Sequence, residues 1–276
     1  MGIAPALAVG YTEDRAGASG YADLGPVCER YGVDLVRAAK VNDDALVARI
    51  TAIAPAIVWV IGWSQLIRRP LLEVPEHGCV GIHPTDLPDG RGRAPIPWTI
   101  LKGYARTACT MFFLTEGVDD GDVIGKVHFD VSPREDAGSL YAKHRSAHVD
   151  LVRVHARDLL GGRAVRYPQD HARATEWPVR RPEDGRIDWS QPADRVDRLV
   201  RAVTRPFPGA FSESANGRVT IWRAEVADDL AQAPGAPSPA PGTVLADAGG
   251  VVVACGSGSL RVLEADGLDD RPALLA

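Results

Sequence analysis

The sequence predicts an α/β protein with a Rossmann-like, doubly wound, mostly parallel sheet, followed by a small C-terminal β-barrel-like domain. Two observations carry this prediction. Apolar segments of strand length alternate with helix-like segments over the first 65 residues, and short strand-like segments alternate with turns from Phe211 onward. The first pattern is typical of a parallel sheet with helices on both faces. The second is typical of a small barrel or sandwich.

Strands and helices of the N-terminal part are predicted from unbroken apolar runs and from helical periodicity. The second helix has Asn42 as its predicted N-cap, and Leu46 and Ile50 share one of its faces. The elements alternate, beginning with a strand, at residues 6–10, 23–31, 33–37, 42–54 and 57–62. They are followed by a strand, a loop rich in Pro, Gly and Arg, a short helix, two strands and a long helix, at residues 79–82, 84–97, 98–103, 110–114, 123–131 and 138–160.

The composition changes after the long helix, which predicts three parts. Residues 1–162 form the α/β domain, residues 163–208 a polar, Pro-rich linker, and residues 209–276 an OB-like β-domain. The predicted linker helix and C-terminal strands lie at residues 192–202, 219–225, 242–246, 251–254 and 260–265.

Charge and cysteine content exclude several classes of function. The formal net charge is −5, so bulk electrostatics attract neither nucleic acid nor an anionic membrane. The four cysteines are widely spaced, which argues against a zinc site or a redox motif. The longest apolar stretch, residues 53–63, is too short to span a bilayer, and the predicted location is cytoplasmic.

The first candidate functional segment is GIHPTDLP at residues 81–88, followed by GRGRAPIPW at residues 90–98. His83 comes just after a predicted strand, at the edge of the sheet where open α/β folds bind ligands. Pro84 and Pro88 stiffen the loop that holds it. A single histidine is more often structural than catalytic, but this setting favours a functional role.

The second candidate segment is acidic and lies between two predicted strands. It reads EGVDDGDVI at residues 116–124. Alone it would be interpreted as an acidic surface turn. A carboxylate on this loop and the histidine on a neighbouring strand end together provide the groups of a general acid–base pair.

These segments resemble a known superfamily, the formyltransferases that use N10-formyltetrahydrofolate and act on methionyl-tRNA, glycinamide ribonucleotide or amino sugars. The family pattern N-x-H-P-S-L-L-P, R-G-x-x-P-x-x-W and G-x-D-x-G-x-I is matched in order by GIHPTDLP, RGRAPIPW and GVDDGDVI. Segments at residues 62–67, 181–189 and 201–211 also resemble the family, and the likeness runs from about residue 6 to about residue 225. Several segments in the right order make the resemblance specific.

The resemblance implies the roles of individual residues. His83 and Asp119 match the catalytic His and Asp, and Gly81 stands where the family has a catalytic Asn. N10-formyltetrahydrofolate is the implied co-substrate, and no metal is implied. Arg91 and Arg93 are candidates for contacts with a diphosphate on the acceptor. The residues implied to surround the pterin are Trp63, Ser64, Gln65, Leu66, Ile67, Asp86, Leu87, Pro88, Glu116, Gly117 and Val118.

The chain departs from the family in two places. Gly81 has no side chain, and losing one donor to a developing oxyanion typically costs about 10²–10³ in rate. Thr85 and Arg93 are candidate substitutes. The family also begins with a central strand and helix ahead of residues 6–10, a unit of roughly thirty residues. The sequence as given lacks that unit, which predicts a sheet that is open at its centre.

Three interpretations of function remain. The first is formyl transfer to a small-molecule amine, above all a nucleotide-linked amino sugar, by an enzyme that the resemblance allows to be a homodimer. Methionyl-tRNA is disfavoured as the acceptor, because residues 206–276 hold four basic and nine acidic residues. The second is hydrolysis of formyltetrahydrofolate, and the third is non-catalytic binding of folate or a nucleotide sugar. His144, His148 and His155 are predicted to line a solvated helix face rather than to bind a metal.

Overall fold

A computed structural model describes residues 3–15, 21–215, 217–227, 239–247, 250–268 and 275 of the 276-residue chain. The chain divides into two compact units. The first comprises Met1–Gly92, Thr107–Phe129 and His144–Trp177, and the second Arg93–Arg106, Asp130–Lys143 and Pro178–Ala276. The predicted domain limits at residues 162 and 208 stay a prediction.

In chain order the strands are β1 (Leu7–Gly10), β2 (Asp34–Arg37), β3 (Val58–Val60), β4 (Cys79–His83), β5 (Arg91–Gly92), β6 (Arg106–Phe113), β7 (Val123–Asp130), β8 (Glu176–Trp177), β9 (Ala210–Ser214), β10 (Gly217–Ala227), β11 (Val244–Asp247), β12 (Gly250–Ala254) and β13 (Ser259–Asp266). The α-helices are α1 (Gly25–Tyr31), α2 (Asp44–Ile53), α3 (Arg69–Leu72), α4 (Pro95–Leu101), α5 (Ala137–Leu160) and α6 (Ala193–Val203). Short 3₁₀ turns lie at Glu13–Arg15, His171–Arg173 and Pro182–Gly185. Helix α3 and strands β5, β8 and β9 were not predicted from the sequence.

The strands of the first unit form a mixed rather than an all-parallel arrangement. The four-stranded sheet has the order β3-β4-β6-β7, in which β3 and β4 are parallel and β4 and β6 are antiparallel. The chain leaves β4 at His83 and re-enters β6 from the same edge, with Thr110 opposite His83. No crossover to the far edge is needed, so the two strands run in opposite directions. Apolar runs in the sequence do not reveal whether two neighbouring strands are parallel or antiparallel.

The N-terminal strands form a sheet of their own. β1 pairs in parallel with β2, and in the part of the chain that is described no strand lies between β1 and β3. Both sheets nevertheless pack on one apolar cluster, which side chains of β1 and β3 cover together. The buried members of that cluster are Val41, Leu46, Ile50, Ile67 and Leu71.

The N-cap predicted for α2 was wrong by one residue. Asp43 caps the helix, and its Oδ1 accepts from the backbone N–H groups of Ala45 and Leu46 at 3.1 and 3.3 Å. Asn42 instead ties the helix start to a neighbouring loop. Its Nδ2 donates to the oxygen of Leu66, and its Oδ1 accepts from the N–H of Arg68, each at 2.9 Å. Both residue types satisfy the first turn of a helix, so the sequence alone does not separate them.

The second unit contains the predicted C-terminal β-domain as a curled, antiparallel, five-stranded sheet of order β11-β12-β13-β10-β9. The register of β10 against β13 shifts near Arg223, and such irregularities increase local bending of a strand. Helix α6 packs against β10. Its Val196 and Val200 are buried, as are Val219 and Ile221 of β10. Among the described residues, no helix is both long and apolar enough to cross a bilayer.

One carboxylate is buried inside the second unit. The Asp197 side chain on α6 is 4% exposed, and its Oδ2 accepts from Arg134 Nη1 and Arg201 Nε at 2.9 Å each. Arg201 also donates through Nη1 to the backbone oxygen of Glu135 at 2.6 Å. The network therefore fastens α6 to the segment that leads into α5.

Candidate active site

His83 is the last residue of β4 and is almost fully buried. Its Nε2 lies 2.8 Å from the backbone oxygen of Gly90. Because a carbonyl oxygen only accepts hydrogen bonds, Nε2 carries a proton in this arrangement. The other ring nitrogen, Nδ1, lies 3.5 Å from Oδ2 of Asp119. A proton bound at Nδ1 would therefore lie next to the Asp119 carboxylate.

Asp119 lies in the loop between β6 and β7 with a φ of 49°, in the left-handed region that Asp tolerates better than most residues. Its Oδ2 accepts from the backbone N–H of Gly92 at 2.8 Å, and Gly92 itself has a φ of 101°. The same oxygen faces His83, so the Gly92 N–H fixes the carboxylate at the ring. The two segments singled out in the sequence thus meet through a His–Asp contact.

Gly81, at the family's Asn position, lies within β4, and its missing side chain leaves no empty space. A Cβ built there would come within 2.8 Å of Leu114 Cδ2 and within 3.3 Å of the Phe112 ring. Leu114 and Phe112 therefore fill the volume that a larger residue would need. Thr85 is buried, and its hydroxyl has no hydrogen-bond partner in the described structure.

Replacing Gly81 with asparagine should lower stability and should not raise the rate of formyl transfer. The added side chain overpacks the strand, which typically costs about 1–3 kcal/mol. Urea unfolding and initial rates measure both effects. Combining Gly81→Asn with Leu114→Ala removes the nearest obstacle and should recover most of the lost stability. A single Gly81→Asn variant that is as stable as the wild type and more active would contradict this packing argument.

The turn of residues 63–67 offers few free side-chain groups. Trp63 stacks on Tyr11 with ring centroids 3.9 Å apart, and its Nε1 is buried without a partner. Gln65 bonds the N–H of Val41 and the oxygen of Ala39, at 3.0 and 2.8 Å. Ser64 bonds the Tyr11 hydroxyl, Ile67 belongs to the apolar core, and Leu66 is exposed. The role of this turn in folate binding stays a prediction.

Asp86 is held by two side chains of β7. Lys126 Nζ lies 2.6 Å from its Oδ1, and His128 Nε2 lies 3.1 Å from its Oδ2. Burial raises the pKa of Asp86, but the contacts with Lys126 and His128 outweigh it and lower the pKa below its ordinary value. Leu87 is buried, and its backbone oxygen accepts from Lys126. The Asp86 carboxylate and the Leu87 side chain are thus occupied by contacts within the protein, and their role in folate binding stays a prediction.

Of the remaining predicted folate contacts, Glu116 and Val118 are exposed, and Pro88 and Gly117 are half-buried. Glu116 makes a surface ion pair with Arg69 at 3.3 Å, and Val118 is exposed. Gly117 donates its N–H to Oγ1 of Thr115 at 3.1 Å. A ligand that lies along this loop therefore has access to Glu116, Val118 and the backbone.

The two arginines proposed for a diphosphate differ in environment. Arg91 is 7% exposed, and its Nε and Nη2 donate to Gln169 Oε1 at 3.2 and 2.8 Å. Arg91 Nη2 also lies 3.1 Å from His171 Nδ1. This geometry supports an internal structural role for Arg91 rather than a phosphate contact. Arg93 is exposed and stays a prediction for the acceptor.

The prediction of a solvated histidine face on α5 was wrong at His144. His144 is 2% exposed, its ring packs edge-on against Phe129, and neither ring nitrogen has a partner in the described structure. Burial, with smaller contributions from His148 and His83, lowers the pKa of His144 to about 3. His148 is half-buried and bonds the backbone oxygen of His144 at 2.6 Å. The helical spacing does not show which face packs on the sheet.

Stability should fall as the pH drops below about 6.5, the pKa of histidine in an unfolded chain. The unfolded chain gains a proton at His144 there, whereas the folded chain gains it only near pH 3. The loss reaches at most about 1.4 kcal/mol per pH unit between those limits. Urea unfolding of wild type and His144→Leu from about pH 7 to about pH 5 tests this. A pH dependence that persists in His144→Leu but disappears in His77→Gln would contradict it.

Among the described residues, no group of three or more His, Cys, Asp or Glu side chains is placed to hold a metal ion. The four cysteines are buried and unpaired. Burial raises the pKa of the Cys79 and Cys109 thiols to about 12 in each case, so both remain protonated at neutral pH.

The protein combines an α/β unit that carries a His–Asp pair with a second unit that contains a curled β-sheet, and the comparisons identify its family. Residues 6–154 match the model of the formyl transferase family, and residues 180–271 match the formyl transferase C-terminal domain. The chain belongs to this family. It is a formyltransferase that uses formyltetrahydrofolate as its co-substrate.

Relatives with established names are similar over most of the chain. A methionyl-tRNA formyltransferase of Geobacter metallireducens is 33% identical over 251 residues, which cover 91% of this chain and 78% of the relative. One of Myxococcus xanthus is 34% identical over 234 residues, covering 84% and 72%.

Solved structures share the fold at lower identity. HypX from Aquifex aeolicus in complex with tetrahydrofolic acid has a TM-score of 0.69 and 21% identity, over 94% of this chain and 43% of HypX. WlaRD, a sugar 3N-formyl transferase, has a TM-score of 0.64 and 12% identity, over 93% of this chain and 86% of its own.

Proposed function

We propose that this enzyme formylates the amine of a small molecule, with a nucleotide-linked amino sugar as the leading acceptor, and that His83 and Asp119 carry the proton transfers. The observation that supports the chemistry most directly is the contact between His83 Nδ1 and Asp119 Oδ2, with the carboxylate anchored by the Gly92 N–H. A buried ring beside a fixed carboxylate is equipped to take up and release a proton.

The reaction requires one proton to leave the amine and one to reach the folate nitrogen. Formyltetrahydrofolate supplies the formyl group: the amine forms a bond to the formyl carbon, and the bond from that carbon to the folate nitrogen breaks. Asp119 accepts the proton that the amine loses, directly or through water. His83, as the imidazolium, stabilises the charge that develops on the formyl oxygen and donates a proton to the leaving nitrogen. Asp119 then releases a proton to solvent and His83 takes one up, which restores both groups for the next cycle.

The folate pocket is proposed to lie along the turn with Trp63, the loop with Leu87 and the loop with Glu116. The unpaired Trp63 Nε1 and the exposed Leu66 offer a donor and an apolar contact. Gln65, Ile67 and Asp86 support these loops through internal bonds and packing, so most polar contacts with the pterin come from backbone groups.

The charge of the C-terminal segment supports a small acceptor over tRNA. Residues 206–276 hold four basic and nine acidic side chains, a net charge of 4 − 9 = −5. A surface that grips RNA needs cations, because contacts with phosphates dominate the affinity. The similarity to a sugar 3N-formyl transferase is compatible with this proposal, although at 12% identity it concerns the fold.

Methionyl-tRNA is the second candidate acceptor. It is favoured by the named relatives, which are methionyl-tRNA formyltransferases of 33% and 34% identity. The predicted linker also retains positive charge: its residues 163–205 hold ten arginines and seven acidic side chains.

A parallel acceptor assay separates these candidates. The enzyme is incubated with N10-formyltetrahydrofolate and either a panel of UDP- and dTDP-linked amino sugars or unformylated methionyl-tRNA. Tetrahydrofolate release and the mass of the acceptor are measured. A formylated sugar supports the first candidate. A formylated tRNA, with a KM that rises steeply with salt, supports the second.

Two other outcomes would replace the proposal. Release of tetrahydrofolate without any acceptor would identify a formyltetrahydrofolate hydrolase. Folate binding without release under every condition would identify a non-catalytic member of the family.

A further inference from the structure

We infer that Gln169 is a positioning residue that holds Asp119 against His83, and that Arg91 fixes Gln169 in the orientation this requires. The inference rests on the proposed function, because it assigns to Gln169 a role in the reaction that Asp119 serves. Gln169 lies fifty residues after Asp119 in the chain, outside the motifs that point to the site.

The Gln169 amide nitrogen holds both ends of the turn that contains Asp119. Nε2 donates to the backbone oxygen of Asp119 at 2.9 Å and to that of Gly121 at 2.7 Å. Gln169 is 7% exposed, so water does not readily replace these bonds. The turn includes a left-handed residue, Asp119, whose conformation persists only when its surroundings impose it.

The amide orientation of Gln169 is determined by Arg91. Gln169 Oε1 accepts from Nε and Nη2 of Arg91, at 3.2 and 2.8 Å. A guanidinium group only donates, so the amide oxygen must face Arg91 and the amide nitrogen must face the two carbonyl groups. The reversed amide would place its N–H groups against the guanidinium and leave two buried carbonyls without a donor.

Arg91 also connects Gln169 to the Asp119 carboxylate. The next residue in the chain, Gly92, donates the N–H that bonds Asp119 Oδ2 at 2.8 Å. Strand β5, which contains both residues, pairs with β8. Asp119 is therefore held at its backbone by Gln169 and at its side chain by Gly92, and a single arginine joins the two supports.

Loss of this support should affect the chemical step more than substrate binding. Gln169 bonds the backbone at Asp119 and Gly121, beyond the proposed folate contacts of residues 116–118 in the same loop, and the other proposed folate contacts lie in separate loops. A misplacement of about 1 Å in a reacting group can cost about 10²-fold in rate. Gln169→Glu keeps an oxygen for Arg91 but removes both N–H donors, and Gln169→Leu removes all polar contacts at similar size.

The experiment measures kcat, KM for formyltetrahydrofolate, thermal unfolding and the amide hydrogen exchange of Gly92 in wild type, Gln169→Glu and Gln169→Leu. Gln191→Glu is the matched control, because Gln191 is an exposed glutamine that bonds Asp188. We expect kcat to fall at least about tenfold in both Gln169 variants while KM changes less than about threefold. The Gly92 amide should exchange faster because its acceptor has moved. The control should match wild type.

The outcomes separate the inference from the proposed function. Wild-type kcat and Gly92 exchange in both Gln169 variants would overturn the inference. The inference would also be overturned if lower thermal stability or a higher KM alone accounted for the loss of activity while hydrogen exchange of the Gly92 amide stayed unchanged. If the wild type transfers no formyl group to any acceptor but Gly92 exchange rises in the variants, the proposed function fails while the support of Asp119 by Gln169 stands.

Discussion

Replacing His83 with alanine should lower kcat for formyl transfer by about 10²–10⁴-fold, the range expected when a general acid–base group is removed. The ring is held between the Gly90 carbonyl and Asp119. KM for formyltetrahydrofolate should change little, because the proposed folate contacts lie on other residues. Initial rates with saturating and limiting folate measure the two parameters.

Two further variants test whether the loss of kcat is specific to His83 and its contact with Asp119. His77→Gln changes a histidine outside the site and should keep wild-type kinetics. Asp119→Asn keeps an oxygen that accepts from the Gly92 N–H but removes the charge facing His83 Nδ1, so kcat should fall while the fold is retained. If His83→Ala keeps kcat within about tenfold of wild type, the proton transfers belong to other groups and the proposed mechanism is wrong.

The largest stability effect is expected from Asp197→Ala, at about 3–5 kcal/mol, the cost of removing one partner from a buried ion pair. The Asp197 side chain is 4% exposed, and Arg201, its partner on the same helix, is 13% exposed. Without the carboxylate, Arg201 remains a buried charge with no counter-ion at that position. Guanidinium unfolding, followed by fluorescence of the tryptophans, measures the change in the free energy of unfolding.

Asp194→Ala is the control for the Asp197 prediction. Asp194 is exposed in the first turn of α6, where an acidic side chain typically contributes about 0.3–1 kcal/mol. An equal loss in both variants would show that the effect comes from the helix terminus and not from burial of the ion pair.

The sequence predicted the His–Asp contact because each partner lies in a dense local motif. The resemblance to the family assigned the two roles to His83 and Asp119. The strand ends alone do not bring them together: His83 ends β4 opposite Thr110, whereas the loop with Asp119 follows Phe113, which pairs with Val80 near the start of β4. The loop therefore has to return along the sheet to reach His83, a path that the sequence does not show.

Residues whose role depends on long-range packing were not predictable. Arg91 belongs to a motif and has a charge suited to phosphate, but its guanidinium is turned inward by Gln169 and His171. Gln169 gives no local signal, because a single glutamine in a polar linker is ordinary. His144 shares its helical spacing with exposed positions, and only the packing of α5 against Phe129 shows that it is buried.

Strands β1 and β2 are separate from the four-stranded sheet, and we expect them to open more readily than its strands. No strand pairing joins β1 to β3 among the described residues, so the attachment relies on the shared apolar cluster, on the stacking of Tyr11 on Trp63 and on side-chain hydrogen bonds such as those of Asn42 and Gln65. Segments held by side chains alone tend to open at a lower free energy than strands inside a sheet.

Trp63 also belongs to the proposed folate pocket. Folate would then bind only the form of the enzyme in which β1 and β2 remain attached. By mass action, a ligand at a hundred times its Kd stabilises the form it binds by about 2.7 kcal/mol. We therefore expect a higher concentration of folate to keep the first strands attached for more of the time and to slow unfolding that begins there.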